Sequence, residues 1–90
     1  MTKKIAVLVG QIQDEALRMA LGLTLADDEV HVYLLDRKVA KNDANDLNLE
    51  TMVDLDMGVF TNTSENAGFE LISNEDIASR LLDYDHVFMY

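Results

Sequence analysis

Polar side chains follow three apolar runs of this chain, at the points where those runs end. The runs at residues 4–9 and 29–35 are typical of strands covered on both faces, and the run at 59–61 is predicted to be a third strand. Because open parallel sheets bind ligands at the carboxyl ends of their strands, the polar residues are predicted to share one edge. The candidate ligand-binding residues are Gly10, Gln11, Gln13, Asp36, Arg37, Lys38, Thr61, Asn62, Thr63 and Ser64. Their amide, hydroxyl and cationic groups suit a small polar or anionic ligand, although an ordinary hydrophilic loop edge has a similar composition.

Other chemistries find little support in the residue spacing. The four glycines form neither a Gly-x-Gly-x-x-Gly motif nor a Walker loop, and His31 and His86 lack the helical spacing of paired metal ligands. The chain has no cysteine, which excludes thiol catalysis and zinc–thiolate sites. One alternative stays open: a small enzyme that uses Asp36, Thr61 or Ser64 with a metal ion or a nucleotide. No catalytic residue, metal ligand or cofactor is predicted.

Length and charge narrow the possible functions further. The 90 residues fit one domain, predicted to span residues 1–90. Seventeen acidic and seven basic residues give a net charge of −10, which argues against a nucleic-acid partner because a polyanion requires a basic face. The apolar runs are too short for a signal sequence or a membrane span. We therefore expect no membrane association and a cytoplasmic location.

Strands and helices are predicted to alternate along the chain, which indicates an α/β fold. The predicted strands are 4–9, 29–35, 59–61, 69–72 and 86–90, and the predicted helices are 14–26, a segment from Asp43 or Asp46 to Met57, and 73–84. The connection between Thr61 and Phe69 is short for a parallel crossover, so it stays undecided whether residues 69–72 form a strand of the sheet. The expected architecture is a three-layer α/β/α sandwich around a four- or five-stranded parallel sheet.

The first predicted helix is apolar over more than half of its circumference. Only Arg18, Gly22 and Thr24 interrupt the apolar run at 16–26, whereas a helix that covers a sheet needs a stripe of about 100°. The excess predicts a self-association surface, unless a small domain simply leaves several apolar side chains partly exposed. The candidate interface residues are Leu17, Met19, Leu21 and Leu23.

Three segments of the sequence resemble the DsrE/DsrF-like family, which contains sulfur-relay subunits and the YchN-like proteins. DEALRMALGL at 14–23 is similar to the family's first helix, and EVHVYLLDRKV at 29–39 to its second strand and the following turn. FELISNEDI at 69–77, with YDHVFMY at 84–90, is similar to its closing strand–helix–strand. The resemblance implies a five-stranded DsrEFH-like sandwich that forms a homo-oligomer (a dimer, trimer or hexamer) or assembles with other family subunits.

The resemblance also implies a persulfide-carrying cysteine after the third strand. Thr61 or Asn62 stands near that place, and Ala67 replaces the family's basic residue before the glycine. Because a persulfide requires a thiolate, the chain by itself is not a persulfide sulfurtransferase. The favoured function is a non-catalytic, oligomeric DsrE-like binding or assembly protein. The alternatives are an accessory subunit of a sulfur-relay complex whose partner supplies the cysteine, and the small enzyme described above.

Overall fold

The chain alternates strands with helices throughout its described part. The computed structural model describes residues 3–10, 13–24, 29–36, 38–55, 57–66 and 68–89. The elements are β1 (Lys4–Val9), α1 (Gln13–Thr24), β2 (Glu29–Leu34), α2 (Asp43–Asp54), β3 (Gly58–Thr61), β4 (Glu70–Leu71), α3 (Asn74–Leu81) and β5 (His86–Met89). None of the helices in these ranges has the length and the apolar run that crossing a bilayer would require.

The five strands of the described ranges join one parallel sheet, in the order β4-β3-β2-β1-β5. The predicted α/β class and parallel sheet are confirmed, with five strands rather than four. The fourth strand, which the sequence left undecided, is present as β4 but is only two residues long. Its residues Glu70 and Leu71 pair with Phe60 and Thr61 of β3. The short connection at 62–69 therefore returns the chain parallel to β3 without a helix.

The two faces of the sheet carry different layers, which completes the three-layer sandwich. One face, called here the helix-pair face, packs against α1 and α2; the other, the α3 face, packs against α3. The helix-pair face buries Ile5, Val7, Val9, Val30, Val32 and Leu34 against Ala16, Leu17, Ala20 and Met52. The α3 face buries Ala6, Leu8 and Tyr33 against Ile72 and Ile77. Because alternate residues of a strand point to opposite faces, the central strands are apolar at consecutive positions.

The boundaries of α2 differ from those predicted. The helix is capped by Asn42, whose Oδ1 accepts a hydrogen bond from the Asn45 N–H at 2.8 Å. Asp43 and Asp46, the predicted caps, instead lie in the first turn, where a negative charge suits the positive end of the helix dipole. The helix ends at Asp54, so the predicted end at Met57 was wrong.

The wide apolar stripe of α1 is used largely inside the protomer. Leu17 is fully buried and belongs to the core of the helix-pair face, so it offers no surface to a partner. Met19, Leu21 and Leu23 are half-buried and pack against the same core. An oligomer interface through these three side chains stays a prediction, and the predicted end of the helix at residue 26 lies outside the described residues.

Candidate functional site

Asn62, directly after β3, joins three parts of the chain at the carboxyl end of the sheet. Its Oδ1 accepts from the Asp36 N–H at 2.7 Å, and its Nδ2 donates to Oδ1 of Asp36 and to Oδ1 of Asn74, both at 2.8 Å. Asp36 has a φ of 67°, in the left-handed region that Asp tolerates better than most residues. The Asn62 amide thus holds the turn after β2 against the start of α3.

Thr61 and Asn66 hold the adjacent loops through buried hydrogen bonds. The Thr61 hydroxyl donates to the Leu34 carbonyl at 2.8 Å and accepts from Asn66 Nδ2 at 3.1 Å. Oδ1 of Asn66 accepts from the Val39 N–H at 2.9 Å. Thr61 belongs to β3, so the sheet fixes its main chain. Its side chain forms these additional hydrogen bonds from that fixed position. A hydroxyl committed in this way is poorly placed to act as a nucleophile.

Gln13 and Asn45 fix the loop from Lys38 to Ala40. Oε1 of Gln13 accepts from the Ala40 N–H at 2.8 Å, and its Nε2 donates to the Lys38 carbonyl at 3.3 Å. Nδ2 of Asn45 donates to the Ala40 carbonyl at 2.9 Å, while its buried Oδ1 has no hydrogen-bond partner among the described residues. We refer to Gln13, Asn45, Thr61, Asn62 and Asn66 as the amide cluster.

A cavity of about 300 Å³ opens beside the loop that the amide cluster holds. Its lining contains two lysines, two carboxylates and three apolar side chains. The lining residues are Lys38, Val39, Lys41, Asp46, Leu49, Glu65, Asn66 and Phe69. Within the described part of the chain, neither lysine forms an ion pair, and nor does either carboxylate. The cavity therefore presents both signs of charge together with apolar surface.

The predicted edge residues take different places at this end of the sheet. Gln13, Asp36, Thr61, Asn62 and Thr63 are joined in the hydrogen-bond network, and Lys38 lines the cavity. Gly10 directly follows β1, and Ser64 is exposed in the loop after β3. Gln11 and Arg37 lie outside the described residues. Asp36 and Asn62 thus bind each other, and Gln13 and Thr61 bind main-chain groups, while the ligand-binding role of the candidates stays a prediction.

Several residues of this edge were not among the candidates. Asn45, Asn66, Asn74, Glu65 and Phe69 reach it through the paths of the loops and the packing of α2. No periodic pattern in the sequence marks them. Only Lys41 carried a signal, because it belongs to the group of basic residues at 37–41.

A second polar cluster lies on the α3 face, and we refer to Glu29, His31, Tyr33 and Tyr84 as the tyrosine–histidine cluster. His31 Nε2 lies 3.1 Å from Glu29 Oε1, and His31 Nδ1 lies 2.6 Å from the Tyr84 hydroxyl. The Tyr84 hydroxyl is in turn 2.7 Å from the fully buried Tyr33 hydroxyl.

The carboxylate fixes the direction of every hydrogen bond in this cluster. An ionised Glu29 only accepts, so Nε2 of His31 donates to it and Nδ1 of the neutral ring accepts from Tyr84. With its proton directed at His31, Tyr84 accepts the hydroxyl proton of Tyr33. The sequence gave no sign that Tyr84 is the partner of His31.

Rings and burial determine the electrostatics of the tyrosine–histidine cluster. The Phe60 and Tyr84 rings pack edge-on against His31, and Lys4 Nζ lies 5.0 Å from the centre of the Tyr84 ring. Burial lowers the pKa of His31, and the nearby Glu29 carboxylate opposes this shift. Burial also raises the pKa of Tyr84 above its ordinary value. A methyl group at Gly58 would come within 3.1 Å of His31 and Phe60, so this packing favours glycine there.

No group of three or more His, Asp or Glu side chains within the described ranges is arranged to hold a metal ion. Comparison of the chain with protein-family models, with curated proteins and with solved structures gave no match. The resemblance to DsrE/DsrF-like proteins therefore stays a prediction from the segments quoted above.

Proposed function

We propose that this chain is a non-catalytic binding module that holds a small polar ligand at the carboxyl end of its sheet. The observation that carries the proposal is the pair of lysines, Lys38 and Lys41, on one cavity without an ion-pair partner among the described residues. Unpaired ammonium groups beside a cavity suit an anionic group of a ligand. The scaffold would be DsrE-like but without sulfur chemistry, because Thr61 and Asn62 cannot form a persulfide.

The lining also restricts the ligand. Asp46 and Glu65 lie on the same cavity as the lysines, so the four side chains together carry no net charge. A polyanion would be repelled by these carboxylates, whereas a ligand with one anionic group and one cationic or hydrogen-bond-donating group would satisfy both signs. Val39, Leu49 and Phe69 provide contact for an apolar portion. At about 300 Å³ the cavity lies at the lower end of the range for small-molecule sites.

The amide cluster would prepare this cavity for binding. Gln13, Asn45 and Asn66 hold the main chain of residues 38–40 in place. A loop that is already ordered loses less conformational entropy when a ligand arrives, so less of the contact free energy is spent on ordering. The geometry of the wall would then depend in part on Gln13 and Asn45, which do not line the cavity.

The proposal is tested by ligand-induced thermal stabilisation, followed by calorimetric titration of the ligands that respond. The panel contains inorganic phosphate, small carboxylic acids, free amino acids and nucleoside monophosphates at constant ionic strength. A ligand that binds only the folded chain raises the melting temperature by mass action. We expect at least one zwitterionic or monoanionic compound to do so, and each of Lys38→Ala and Lys41→Ala to weaken it about tenfold.

The matched control is Lys3→Ala, which removes the same charge near the start of β1, at the opposite end of the sheet. This variant should bind as the unaltered chain does. The proposal fails if no compound in the panel raises the melting temperature. It also fails if the responding compound binds the three variants equally well. The accessory-subunit and small-enzyme hypotheses stay predictions.

A further inference from the structure

The two edges of the sheet are protected to different extents. The edge strand β4 has only two residues, and Glu70 in it forms an ion pair with Arg80 of α3 at 3.8 Å. The other edge strand, β5, has four residues, His86-Val-Phe-Met89, without a carboxylate, a lysine or an arginine. Short strands and charged side chains are common ways to prevent edge pairing. The β5 edge has neither an ion pair nor a charged side chain among its residues.

Both faces of β5 expose apolar side chains. Val87 and Met89 pair with Ala6 and Leu8 and so extend the α3 face, and they are 44% and 73% exposed. Phe88 pairs with Val7 on the helix-pair face and is 37% exposed. Neither buried core contains a β5 side chain. The strand thus extends both faces of the sheet beyond the part that the helices cover.

The hydrogen-bonding needs of β5 specify what can cover it. Among the described strands it pairs with β1 alone, so every second residue directs its N–H and C=O away from the sheet. Another β-strand satisfies a row of such groups, as in the pairing of an added strand with an open sheet edge. A helix or a flat apolar surface would leave them unpaired.

We propose that β5 pairs with β5 of a second copy of this chain, antiparallel and about a two-fold axis normal to the sheet. The two five-stranded sheets then form one continuous sheet of ten strands. A two-fold interface presents the same surface from both copies, so Val87, Phe88 and Met89 meet their own counterparts. This proposal is independent of the ligand site, which lies between α2 and the loops at the carboxyl end of the sheet.

Charge favours this antiparallel arrangement over a parallel one. The chain carries a net charge of −10, and Asp83 and Asp85 stand at the amino end of β5. A parallel copy would place these acidic ends side by side. In the antiparallel pair the two Asp85 residues stand at opposite ends of the paired strands, about 13 Å apart at 3.3 Å per residue. That separation exceeds the Debye length of about 8 Å at physiological salt.

The two-fold axis also limits the register. It keeps each face of the sheet on its own side, so residues of the α3 face pair only with residues of the α3 face. Pairing most of the four residues of β5 then places Val87 or Phe88 opposite its own copy at the axis. Because the chain has no cysteine, a single cysteine introduced at either position reports on that register without interference.

Sedimentation equilibrium of the chain and of Val87→Lys tests the proposal. We expect the unaltered chain to form a dimer at micromolar concentration, and Val87→Lys to weaken it at least about tenfold because two like charges meet in the pair. Val53→Lys is the matched control, since Val53 is an exposed valine on α2, and it should leave the dimer intact. Circular dichroism confirms that both variants fold.

Disulfide formation supplies the second measurement. Either Val87→Cys or Phe88→Cys should form a covalent dimer on mild oxidation, whereas Val53→Cys should not. A monomer throughout the concentration range overturns the proposal, and so does a dimer that tolerates Val87→Lys with neither β5 cysteine cross-linking. Lys38→Ala and Lys41→Ala should leave dimerisation unchanged, which separates this test from that of the ligand site.

Discussion

The amide cluster and the tyrosine–histidine cluster differ in what their side chains bind. Three members of the amide cluster, Gln13, Asn45 and Asn66, bind main-chain groups of the loop after β2. In the tyrosine–histidine cluster the bonds join side chain to side chain and connect β2 with Tyr84, just before β5. One cluster therefore determines the path of a loop, and the other ties together elements that have already formed.

The two clusters also differ in their response to pH. Amides and the Thr61 hydroxyl do not titrate in the range where proteins are folded, so the amide cluster should hold at any such pH. The tyrosine–histidine cluster contains His31, whose pKa is lowered, and Glu29. The hydrogen bonds of His31 thus lie on the α3 face, apart from the loop that the amide cluster holds.

Asn66→Ala should produce the largest loss of stability. The substitution leaves the buried Val39 N–H without an acceptor and removes the donor to the Thr61 hydroxyl. A buried group that loses its partner costs about 1–3 kcal/mol, so we expect the free energy of unfolding to fall by about 2–3 kcal/mol. Chemical denaturation measures this change.

The control for that prediction is Asn48→Ala on α2, a half-buried position for which no hydrogen bond is described. The same substitution there should change the free energy of unfolding by no more than about 0.5 kcal/mol. Equal effects of the two variants would mean that the amide cluster does not hold the loop, and the comparison between the clusters would lose its basis.

Tyr84→Phe should have the next largest effect. The lost hydroxyl is the centre of the tyrosine–histidine cluster, so both His31 Nδ1 and the buried Tyr33 hydroxyl lose their partner. We expect a loss of about 1–2 kcal/mol, and a smaller loss of about 1 kcal/mol for Tyr33→Phe, which removes only the end of the chain of bonds. Chemical denaturation of both variants gives the order.

The double variant shows whether the two hydroxyls act together. If Tyr33 and Tyr84 share one hydrogen bond, the loss in the double variant is smaller than the sum of the two single losses. Strict additivity would mean that the two hydroxyls do not share a hydrogen bond, and a greater loss for Tyr33→Phe than for Tyr84→Phe would mean that Tyr84 is not the centre of the cluster.

The sequence predicted the fold more fully than it predicted the contacts. Apolar residues at consecutive positions, 5–9 in β1 and 32–34 in β2, identified these strands, because a strand segment covered on both faces is apolar at every position. The two-residue strand β4 could not be settled, because a segment that short has no periodicity. The parallel arrangement also placed the carboxyl ends of the strands at one edge, as predicted.

The sequence did not predict which side chains contact one another across the sheet. Asn66 reaches the loop after β2 only because residues 62–69 return to the sheet without a helix, and residue patterns do not encode that path. Tyr33 and Tyr84 are 51 positions apart, and their contact depends on how far α3 crosses the sheet. Local patterns determine which face a residue takes, whereas the partner on that face depends on packing.

The smallest expected effect is the pH dependence that His31 contributes to stability. Because burial lowers its pKa in the folded state, the unfolded chain binds a proton more readily than the folded chain. The contribution of His31 is therefore complete above the unfolded pKa of about 6.5 and is lost as the pH falls through the folded value. Protonation also gives Nδ1 a hydrogen, which removes the acceptor that Tyr84 needs.

Unfolding free energies at about pH 7.5 and about pH 5.5 measure this contribution. His31→Gln should lose less stability between the two conditions than the unaltered chain does, whereas Asn66→Ala should lose as much as the unaltered chain. All three proteins are compared at the same two pH values, so contributions that involve neither residue 31 nor residue 66 are common to them. If His31→Gln kept the full pH dependence and Asn66→Ala reduced it, the titratable bonds would belong with the amide cluster, and the division between the two regions would be wrong.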